Sequence, residues 1–165
     1  MTQLVIIRGN SGSGKSTVAR EVREKLPGKI ALIEQDYFRR IVLKEKDSAE
    51  NTDIIVLLDQ TVRFAIARGY TVILEGILSS KKYGEMLRHL ANKFETAVLY
   101  MDVSLEETLI RHQSKSNAHE FGDQKMREWY LERDFLGVVG EVVIPEQSSL
   151  KTTIDRIVGK LKAFE

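Results

Sequence analysis

The clearest chemical signal in this sequence is a glycine- and serine-rich run near the amino terminus. Consecutive residues match the pattern G-x-x-x-x-G-K-[ST]: Gly9, Asn10, Ser11, Gly12, Ser13, Gly14, Lys15 and Ser16. In such a phosphate loop the glycines let backbone N–H groups surround phosphate oxygens, and the following helix offers its N-terminus to the same anion. Lys15 then faces the β- and γ-phosphates, and the Ser16 hydroxyl is a ligand for Mg²⁺. We therefore predict that these residues, with Thr17, bind a nucleoside triphosphate and Mg²⁺.

An acidic residue follows each of two predicted strands. Asp36 comes just after the apolar run 30–33, and Glu75 comes directly after the run 71–74. In an open parallel sheet, both carboxylates emerge at the carboxyl edge of the strands, beside the phosphate loop. A cap for a helix beginning at Tyr37 is the alternative role for Asp36, and a structural hydrogen bond at the strand end is the alternative for Glu75. Their shared edge with Lys15 makes both of them candidate site residues.

Five short apolar runs predict the strands that position these groups. They cover residues 4–7, 30–33, 71–74, 97–101 and 142–144, and they are rich in β-branched residues. This composition is typical of parallel strands that are buried on both faces. Segments with helical periodicity alternate with the runs, which indicates an α/β fold with helices on both faces of a five-stranded parallel sheet.

Capping residues and periodicity predict the helix boundaries. Residues 53–68 are apolar nearly all round, which predicts a heavily buried helix. Ser80 is expected to cap the following helix, and Ser104 opens a capping box. Asp123 is expected to cap a helix that runs to Gly137.

Length and charge exclude several classes of protein. The chain has 165 residues, 42% of them hydrophobic and 30% charged, and a net charge of +1. We expect one domain that spans residues 1–165. The near-zero net charge disfavours binding to nucleic acid or to an anionic membrane by bulk charge. The absence of cysteine excludes disulfide scaffolds and cysteine nucleophiles. Since the sequence shows neither a secretory signal pattern nor an apolar run of ~20 residues, we expect a cytoplasmic protein.

The motifs after the second and third strands carry a family resemblance. Together with the first strand and the phosphate loop, the Q-D-x-F of residues 35–38 and the L-E-G-I-L of residues 74–78 resemble uridine kinase. The length and layout also look like gluconate kinase, chloramphenicol phosphotransferase and zeta toxin-type kinases. The resemblance implies a three-layer P-loop kinase fold with a lid and with ATP and Mg²⁺ as cofactors. It implies that Asp36 accepts the proton of the substrate hydroxyl. Glu75 matches the acidic residue near the metal or the substrate, and we count both carboxylates among the candidate metal ligands.

Residues 101–112 resemble the fourth strand and the lid-entering helix of small P-loop kinases. In such kinases, lid cations neutralise charge on the transferring phosphoryl group. The resemblance therefore places a lid around residues 111–135, with the polar stretch 113–122 as its moving cover. Arg111 and Arg127 are the preferred catalytic cations, with Lys115 and Arg133 as weaker candidates. The alternative is a solvated charged face without a role in catalysis.

A guanine-nucleotide switch is disfavoured by two departures from the motifs of that class. The nearest match to N-K-x-D, at residues 92–95, precedes the fourth strand and ends in Glu. Asp134 and Gly137 have the spacing of a switch motif, but they fall at a predicted helix end, so we interpret the match as coincidental. The sequence instead predicts ATP- and Mg²⁺-dependent phosphoryl transfer to a hydroxyl of a small molecule such as a nucleoside, a sugar or an antibiotic-like compound. A kinase acting on a nucleic-acid end or a nucleotide sugar, and a non-catalytic nucleotide-gated binding module, are the alternatives.

Overall fold

The computed structural model describes residues 3–48, 50–114 and 122–162. Its strands are β1 (Leu4–Gly9), β2 (Ile30–Glu34), β3 (Thr71–Gly76), β4 (Thr96–Asp102) and β5 (Val142–Pro145). Its helices are α1 (Lys15–Lys25), α2 (Gln35–Tyr37), α3 (Asp53–Ala67), α4 (Ser80–Lys93), α5 (Leu105–Gln113), α6 (Asp123–Trp129) and α7 (Leu150–Lys162). A π-helical turn, Phe38–Val42, continues α2.

All five strands are parallel and lie in the order β2-β3-β1-β4-β5. The central strand β1 pairs with β3 and β4, so Ile7 is in register with Glu75 on one side and with Leu99 on the other. The phosphate loop follows β1 directly and therefore lies at the carboxyl edge of the sheet, in the middle of that edge. The predicted five-stranded parallel sheet with helices on both faces is confirmed.

The two faces of the sheet carry separate hydrophobic clusters. Successive side chains of a strand point to opposite faces, and in β1 Leu4 and Ile6 join one cluster while Val5 and Ile7 join the other. The first cluster is completed by α3 and α4, and the second by α1 and α7. Both clusters hold the carboxyl ends of β1 and β3 in place, and this fixes the positions of the phosphate loop and of Glu75.

Helix α3 is buried on one side only, which corrects the prediction of a heavily buried helix. Its buried residues are Ile54, Leu58, Val62 and Ala65, whereas Val56 is 52% exposed and Phe64 is 62% exposed. The cause is the layer architecture, since a helix that packs on one face of a sheet leaves its opposite side to solvent. Apolar composition alone did not identify which residues face outward.

Two helix starts differ from prediction by one residue. Ser79, not Ser80, precedes α4, and the Ser80 side chain and N–H both contact the carboxylate of Asp134. Likewise Gly122 precedes α6, and Asp123 is the first helical residue. In both cases the predicted capping side chain lies just inside the helix.

Helix α6 ends at Trp129 rather than at Gly137. Beyond it, side chains from distant parts of the chain bind the backbone: the Leu131 N–H donates to Asn10, and the Asp134 N–H donates to Tyr100. These side-chain contacts replace the hydrogen bonds that a longer helix would make. Asp134 therefore does not lie at a helix end, where the predicted helix 123–137 had placed it.

The capping box at α5 is half formed. The Ser104 hydroxyl accepts a hydrogen bond from the Glu107 N–H at 3.3 Å, as predicted. The Glu107 carboxylate does not reach back, because it accepts a hydrogen bond from Arg111 at 2.8 Å, and the Ser104 N–H donates to Glu146 instead.

Among the described helices, none is long and apolar enough to cross a membrane.

Candidate active site

The phosphate loop turns sharply between β1 and α1, and its glycines permit that turn. Gly12 and Gly14 have φ values of 80° and 92°, in the left-handed region that favours glycine. A Cβ at Gly12 would lie 2.7 Å from the backbone oxygen of Thr108 on α5 and 3.2 Å from the Met126 side chain on α6. The close approach of both helices thus requires glycine here, and it places the predicted lid helices directly against the loop.

Lys15 is the first residue of α1 and is only 8% exposed. Its Nζ donates a hydrogen bond to the backbone oxygen of Asn10, 3.0 Å away across the loop. The Ser13 hydroxyl inside the same loop is buried and makes no hydrogen bond within the described part of the chain. The loop thus holds a buried ammonium group and a buried hydroxyl, and both groups can donate hydrogen bonds to phosphate oxygens.

Ser16 and Glu75, two of the predicted site residues, are in contact. The Ser16 hydroxyl donates to Glu75 Oε1 at 3.1 Å, and Glu75 is only 3% exposed. The second carboxylate oxygen, Oε2, is buried and has no hydrogen-bond partner among the residues that the structure describes. Burial raises the pKa of Glu75, and the nearby charge of Lys15 opposes that shift.

These two side chains fit a magnesium ion. Mg²⁺ prefers oxygen ligands and is usually bound through one or two carboxylates together with substrate phosphates. The Ser16 hydroxyl and the unpartnered oxygen of Glu75 supply such ligands beside the loop. Within residues 3–48, 50–114 and 122–162, no group of three or more His, Asp or Glu side chains could hold a metal. The remaining ligands would therefore come from the nucleotide and water.

Asp36 lies in α2, just past the end of β2, and its side chain is 56% exposed. Its carboxylate accepts hydrogen bonds from Arg39 at 2.7 Å and from Arg40 at 3.3 Å. It is not an N-cap, because Glu34 occupies the position before α2. Glu34 is also the residue in register with Glu75, and it pairs with Arg20 on α1. Asp36 therefore lies beyond the end of β2, and its carboxylate is paired with two arginines.

Sequence reasoning missed a buried polar contact between the start of α2 and helix α4. Gln35 is 4% exposed and donates to the Tyr83 hydroxyl at 3.2 Å. A Cβ at Gly76 would lie 2.8 Å from the Gln35 side chain, so this glycine allows Gln35 to pack next to Glu75. Burial raises the pKa of Tyr83, with Asp47 adding to the shift. Helical spacing places Tyr83 on the apolar face of α4, and nothing in that spacing indicates a buried hydroxyl contact.

Two cations bind the backbone and side chains of the segment 43–48, which follows the π-helical turn. Lys82 on α4 donates to the Asp47 carboxylate and to the Ser48 backbone oxygen, both at 2.8 Å. Arg39 donates to the Glu45 backbone oxygen at 2.9 Å. The side-chain exposures are 13% for Lys82 and 16% for Arg39, so both cations are largely covered.

The predicted lid cations fall into different environments. Arg111 on α5 donates to the Ser13 backbone oxygen at 3.2 Å and to the Glu146 backbone oxygen at 3.0 Å, so it joins the phosphate loop to the end of β5. Arg127 on α6 is exposed. Arg133 is 65% exposed and lies 3.8 Å from Asp102. Lys115 and most of the predicted moving cover, residues 115–121, lie outside the described residues.

A family model described as an AAA domain matches residues 4–133 of the chain. The matched region begins at β1 and extends beyond α6, so it includes the phosphate loop and both carboxylates of the site. No curated protein matches the sequence.

Solved structures share the fold at low sequence identity. A sugar kinase from Janibacter sp. HTCC2649 is 19% identical, with a TM-score of 0.69 over 98% of this chain and 95% of that chain. A gluconokinase from Sinorhizobium meliloti 1021 is 17% identical, with a TM-score of 0.66 over 98% and 96%. The APS kinase of Mycobacterium tuberculosis in complex with AMPPNP and APS is 17% identical, with a TM-score of 0.74 over 98% of each chain. The fold is that of the P-loop kinases, as the sequence predicted.

Proposed function

The chain belongs to the family described as an AAA domain, and we propose that it is an ATP- and Mg²⁺-dependent kinase with a hydroxyl group of a small molecule as its acceptor. The observation that carries this proposal is the set formed by Lys15, Ser16 and Glu75 at the end of the phosphate loop. The ammonium, the hydroxyl and a buried carboxylate oxygen without a partner in the described chain lie together there. The fold shared with an APS kinase bound to AMPPNP supports ATP as the nucleotide.

On the nucleotide side, the chain supplies charge and orientation. The backbone N–H groups of the phosphate loop would hold the β-phosphate, and Lys15 would turn its Nζ from the Asn10 oxygen to the β- and γ-phosphates. Ser16 and Glu75 would hold Mg²⁺, which when bound neutralises charge on the phosphate oxygens. Positioning and electrostatic stabilisation of this kind supply most of the catalysis in phosphoryl transfer.

On the acceptor side, Asp36 is the proposed proton acceptor. The acceptor hydroxyl oxygen forms a bond to the γ-phosphorus as the bond from that phosphorus to the bridging oxygen breaks, and ADP leaves. The hydroxyl proton passes to the Asp36 carboxylate, which Arg39 and Arg40 orient. Gln35 and Tyr83 are 4% and 1% exposed, so their shared hydrogen bond would support this side of the site rather than contact the acceptor. Arg111 or Arg127 is the proposed cation for the charge on the transferring group.

The two alternatives make different demands on the chain. A nucleic-acid end as acceptor calls for a basic surface that neutralises several phosphates, and the net charge of +1 offers little support for one. A nucleotide-gated binding module needs the nucleotide site but no proton acceptor on the opposite side. The sugar kinase, gluconokinase and APS kinase that share the fold favour a small-molecule acceptor.

An acceptor screen tests the proposal. The protein is incubated with ATP and Mg²⁺ and a set of nucleosides, sugars, sugar acids, aminoglycosides and short oligonucleotides, and each compound is monitored by mass spectrometry for a gained phosphoryl group. We expect a small molecule to be phosphorylated by the parent protein and not by Lys15→Met. Lys25→Met is the matched control, since Lys25 is an exposed lysine on the same helix.

The outcomes of the screen separate the candidate functions. Phosphorylation of oligonucleotides alone would favour the nucleic-acid alternative. ATP binding without transfer to any compound would favour the nucleotide-gated module. Equal transfer by the parent and by Lys15→Met would contradict the proposed site itself.

A further inference from the structure

Arg8 is a charged residue in the middle of the fold that the proposed mechanism does not use. It lies on β1 immediately before the phosphate loop and is 0% exposed. Its Nη2 donates to Asp134 Oδ2 at 2.8 Å, its Nη1 donates to the Asp134 backbone oxygen at 2.8 Å, and its Nε donates to the Leu78 backbone oxygen at 3.0 Å. Glu141 lies 3.6 Å from the same guanidinium, and the Tyr100 ring lies 5.7 Å from it. A buried guanidinium with this many partners fixes the elements that it contacts relative to one another.

Asp134 connects Arg8 to the start of α4. Its Oδ2 accepts a hydrogen bond from the Ser80 N–H at 2.8 Å, and its Oδ1 accepts one from the Ser80 hydroxyl. Ser80 is the first residue of α4, two positions before Lys82, which binds Asp47, and three before Tyr83, which accepts a hydrogen bond from Gln35. One carboxylate therefore binds both the strand that leads into the phosphate loop and the first turn of α4.

A second contact joins the same segment to the phosphate loop itself. The Asn10 carboxamide donates to the Leu131 oxygen at 2.7 Å and accepts from the Leu131 N–H at 2.8 Å. The backbone oxygen of Asn10 is also the acceptor for Lys15 Nζ. Phosphate oxygens that bind Lys15 compete for that hydrogen bond, so nucleotide binding acts directly on Asn10.

We propose that Asp134 is a positioning residue that couples nucleotide binding at the phosphate loop to the first turn of α4. The coupling runs through a polar bridge, defined here as Asn10, Leu131, Asp134, Arg8 and Ser80. The inference rests on the proposed function, because it takes the start of α4 as a wall of the acceptor site. A nucleotide that orders the phosphate loop would also order the first turn of α4. An acceptor would then bind to an ordered site in line with the γ-phosphate. Ordering of one site by a ligand at another is a recognised form of coupling, and hydrogen exchange measures it.

Hydrogen–deuterium exchange with and without AMPPNP and Mg²⁺ tests the proposal without a known acceptor. The N–H groups of Ser80, Lys82 and Tyr83 all donate hydrogen bonds, so their exchange reports opening of the first turn of α4. In the parent protein we expect AMPPNP to slow exchange in residues 79–86 by roughly fivefold or more, the lower end of typical coupling between sites. In Asp134→Asn the slowing should fall below about twofold while the phosphate loop remains protected.

Two further variants keep the test informative. Asp59→Asn removes a carboxylate that pairs with Arg63 on α3, and it should show the parental response. If Asp134→Asn does not fold, Ser80→Ala removes only the hydroxyl contact, and it should reduce the slowing to roughly half of the parental factor. A purely structural role for Asp134 would speed exchange equally with and without nucleotide, so the ratio of the two rates would not change.

Each remaining outcome decides the proposal. The coupling would be overturned if AMPPNP slowed exchange in residues 79–86 of Asp134→Asn as much as in the parent protein. If Asp134→Asn does not fold, the same result in Ser80→Ala would overturn it. The coupling would also be overturned if AMPPNP slowed exchange in the phosphate loop of the parent protein but left exchange in residues 79–86 unchanged. The proposed function would not be contradicted by that result. If AMPPNP protects neither region in the parent protein, nucleotide binding at this loop is wrong, and the proposed function fails together with the coupling.

Discussion

At the scale of single residues, the two candidate carboxylates differ most in their surroundings. Glu75 is 3% exposed beside Ser16 and Lys15, whereas the Asp36 side chain is 56% exposed and paired with Arg39 and Arg40. A loose transition state for phosphoryl transfer demands positioning more than base strength. An exposed carboxylate that two arginines orient suits proton acceptance, and a buried carboxylate beside a serine hydroxyl suits a metal. We therefore assign the two residues different roles.

Replacing Asp36 with Asn tests its role as the proton acceptor. Asp36→Asn preserves size but removes the charge, and we expect turnover of the acceptor to fall by ~10²–10⁴. The dissociation constant for AMPPNP should be unchanged, because no phosphate contact is assigned to this residue. Asp59→Asn, which removes a comparable surface ion pair on α3, should retain parental turnover.

Two results would count against Asp36. Parental turnover in Asp36→Asn would show that its arginine contacts are only a surface ion-pair network. Loss of turnover in Glu75→Gln beside an active Asp36→Asn would transfer the role of base to Glu75.

The raised pKa of Glu75 predicts how stability depends on pH in the absence of metal. Because burial raises this pKa in the folded state, the contribution of Glu75 is fully favourable below its unfolded pKa and is lost as the pH rises through its folded pKa. Glu75→Gln has no charge to bury. Its free energy of unfolding should therefore increase relative to that of the parent as the pH rises from about 4 to about 8.

Urea unfolding in EDTA at several pH values measures this difference. Glu24→Gln is the control, since Glu24 is exposed on α1, and it should follow the parental profile. A parental profile for Glu75→Gln would mean that Glu75 carries no cost of burial.

At the scale of elements, the site depends on how closely α5 and α6 approach the phosphate loop. A Cβ at Gly12 would lie 2.7 Å from the Thr108 backbone oxygen, and the backbone cannot give way as a flexible side chain can. At Gly28, which has a similar φ of 86°, a Cβ would meet nothing within 4 Å. Alanine at Gly28 therefore introduces backbone strain alone, whereas alanine at Gly12 introduces the same strain and a clash with α5.

Gly12→Ala and Gly28→Ala form a matched pair. Gly28→Ala should lose about 1–2 kcal/mol of stability, because alanine is strained at positive φ. Gly12→Ala should lose more, because its Cβ would also meet the Thr108 backbone oxygen at 2.7 Å. Only Gly12→Ala should weaken AMPPNP binding, on the order of tenfold or more, which corresponds to about 1.4 kcal/mol. Calorimetric titration measures both affinities, and equal affinities would contradict the importance of this contact.

The lid arginines give a second prediction at the scale of elements. An arginine that stabilises the transferring phosphoryl group is worth ~10³–10⁵ in rate. We expect Arg111→Ala or Arg127→Ala to show a loss of that order in kcat. Arg23→Ala should show none, because Arg23 is exposed on α1. Parental kcat in both lid variants would mean that α5 and α6 are only a charged helix pair.

At the scale of the whole molecule, the fold was predictable because its signals are local. Each strand is a short apolar run, and the phosphate loop is contiguous in sequence, so Lys15, Ser16 and Glu75 could be placed together in advance. The end of α6 could not be predicted from the sequence, because it depends on contacts between residues that are far apart in the chain. Arg8 and Asp134 are separated by 126 positions, and neither periodicity nor spacing indicates that they meet. Buried pairs of this kind also explain why Gln35 and Tyr83 were missed.

The fate of the γ-phosphoryl group tests the central claim for the whole molecule. ADP formation and release of inorganic phosphate are measured in parallel, first with ATP and Mg²⁺ alone and then with the acceptor mixture of the screen. We predict little of either product without acceptor, because a kinase favours transfer to its acceptor over transfer to water. With acceptor, we predict ADP formation at least roughly 100-fold faster, within the range typical of enzymatic rate effects, and without a matching release of phosphate. Phosphate release equal to ADP formation in every mixture would contradict phosphoryl transfer and identify an ATP hydrolase instead.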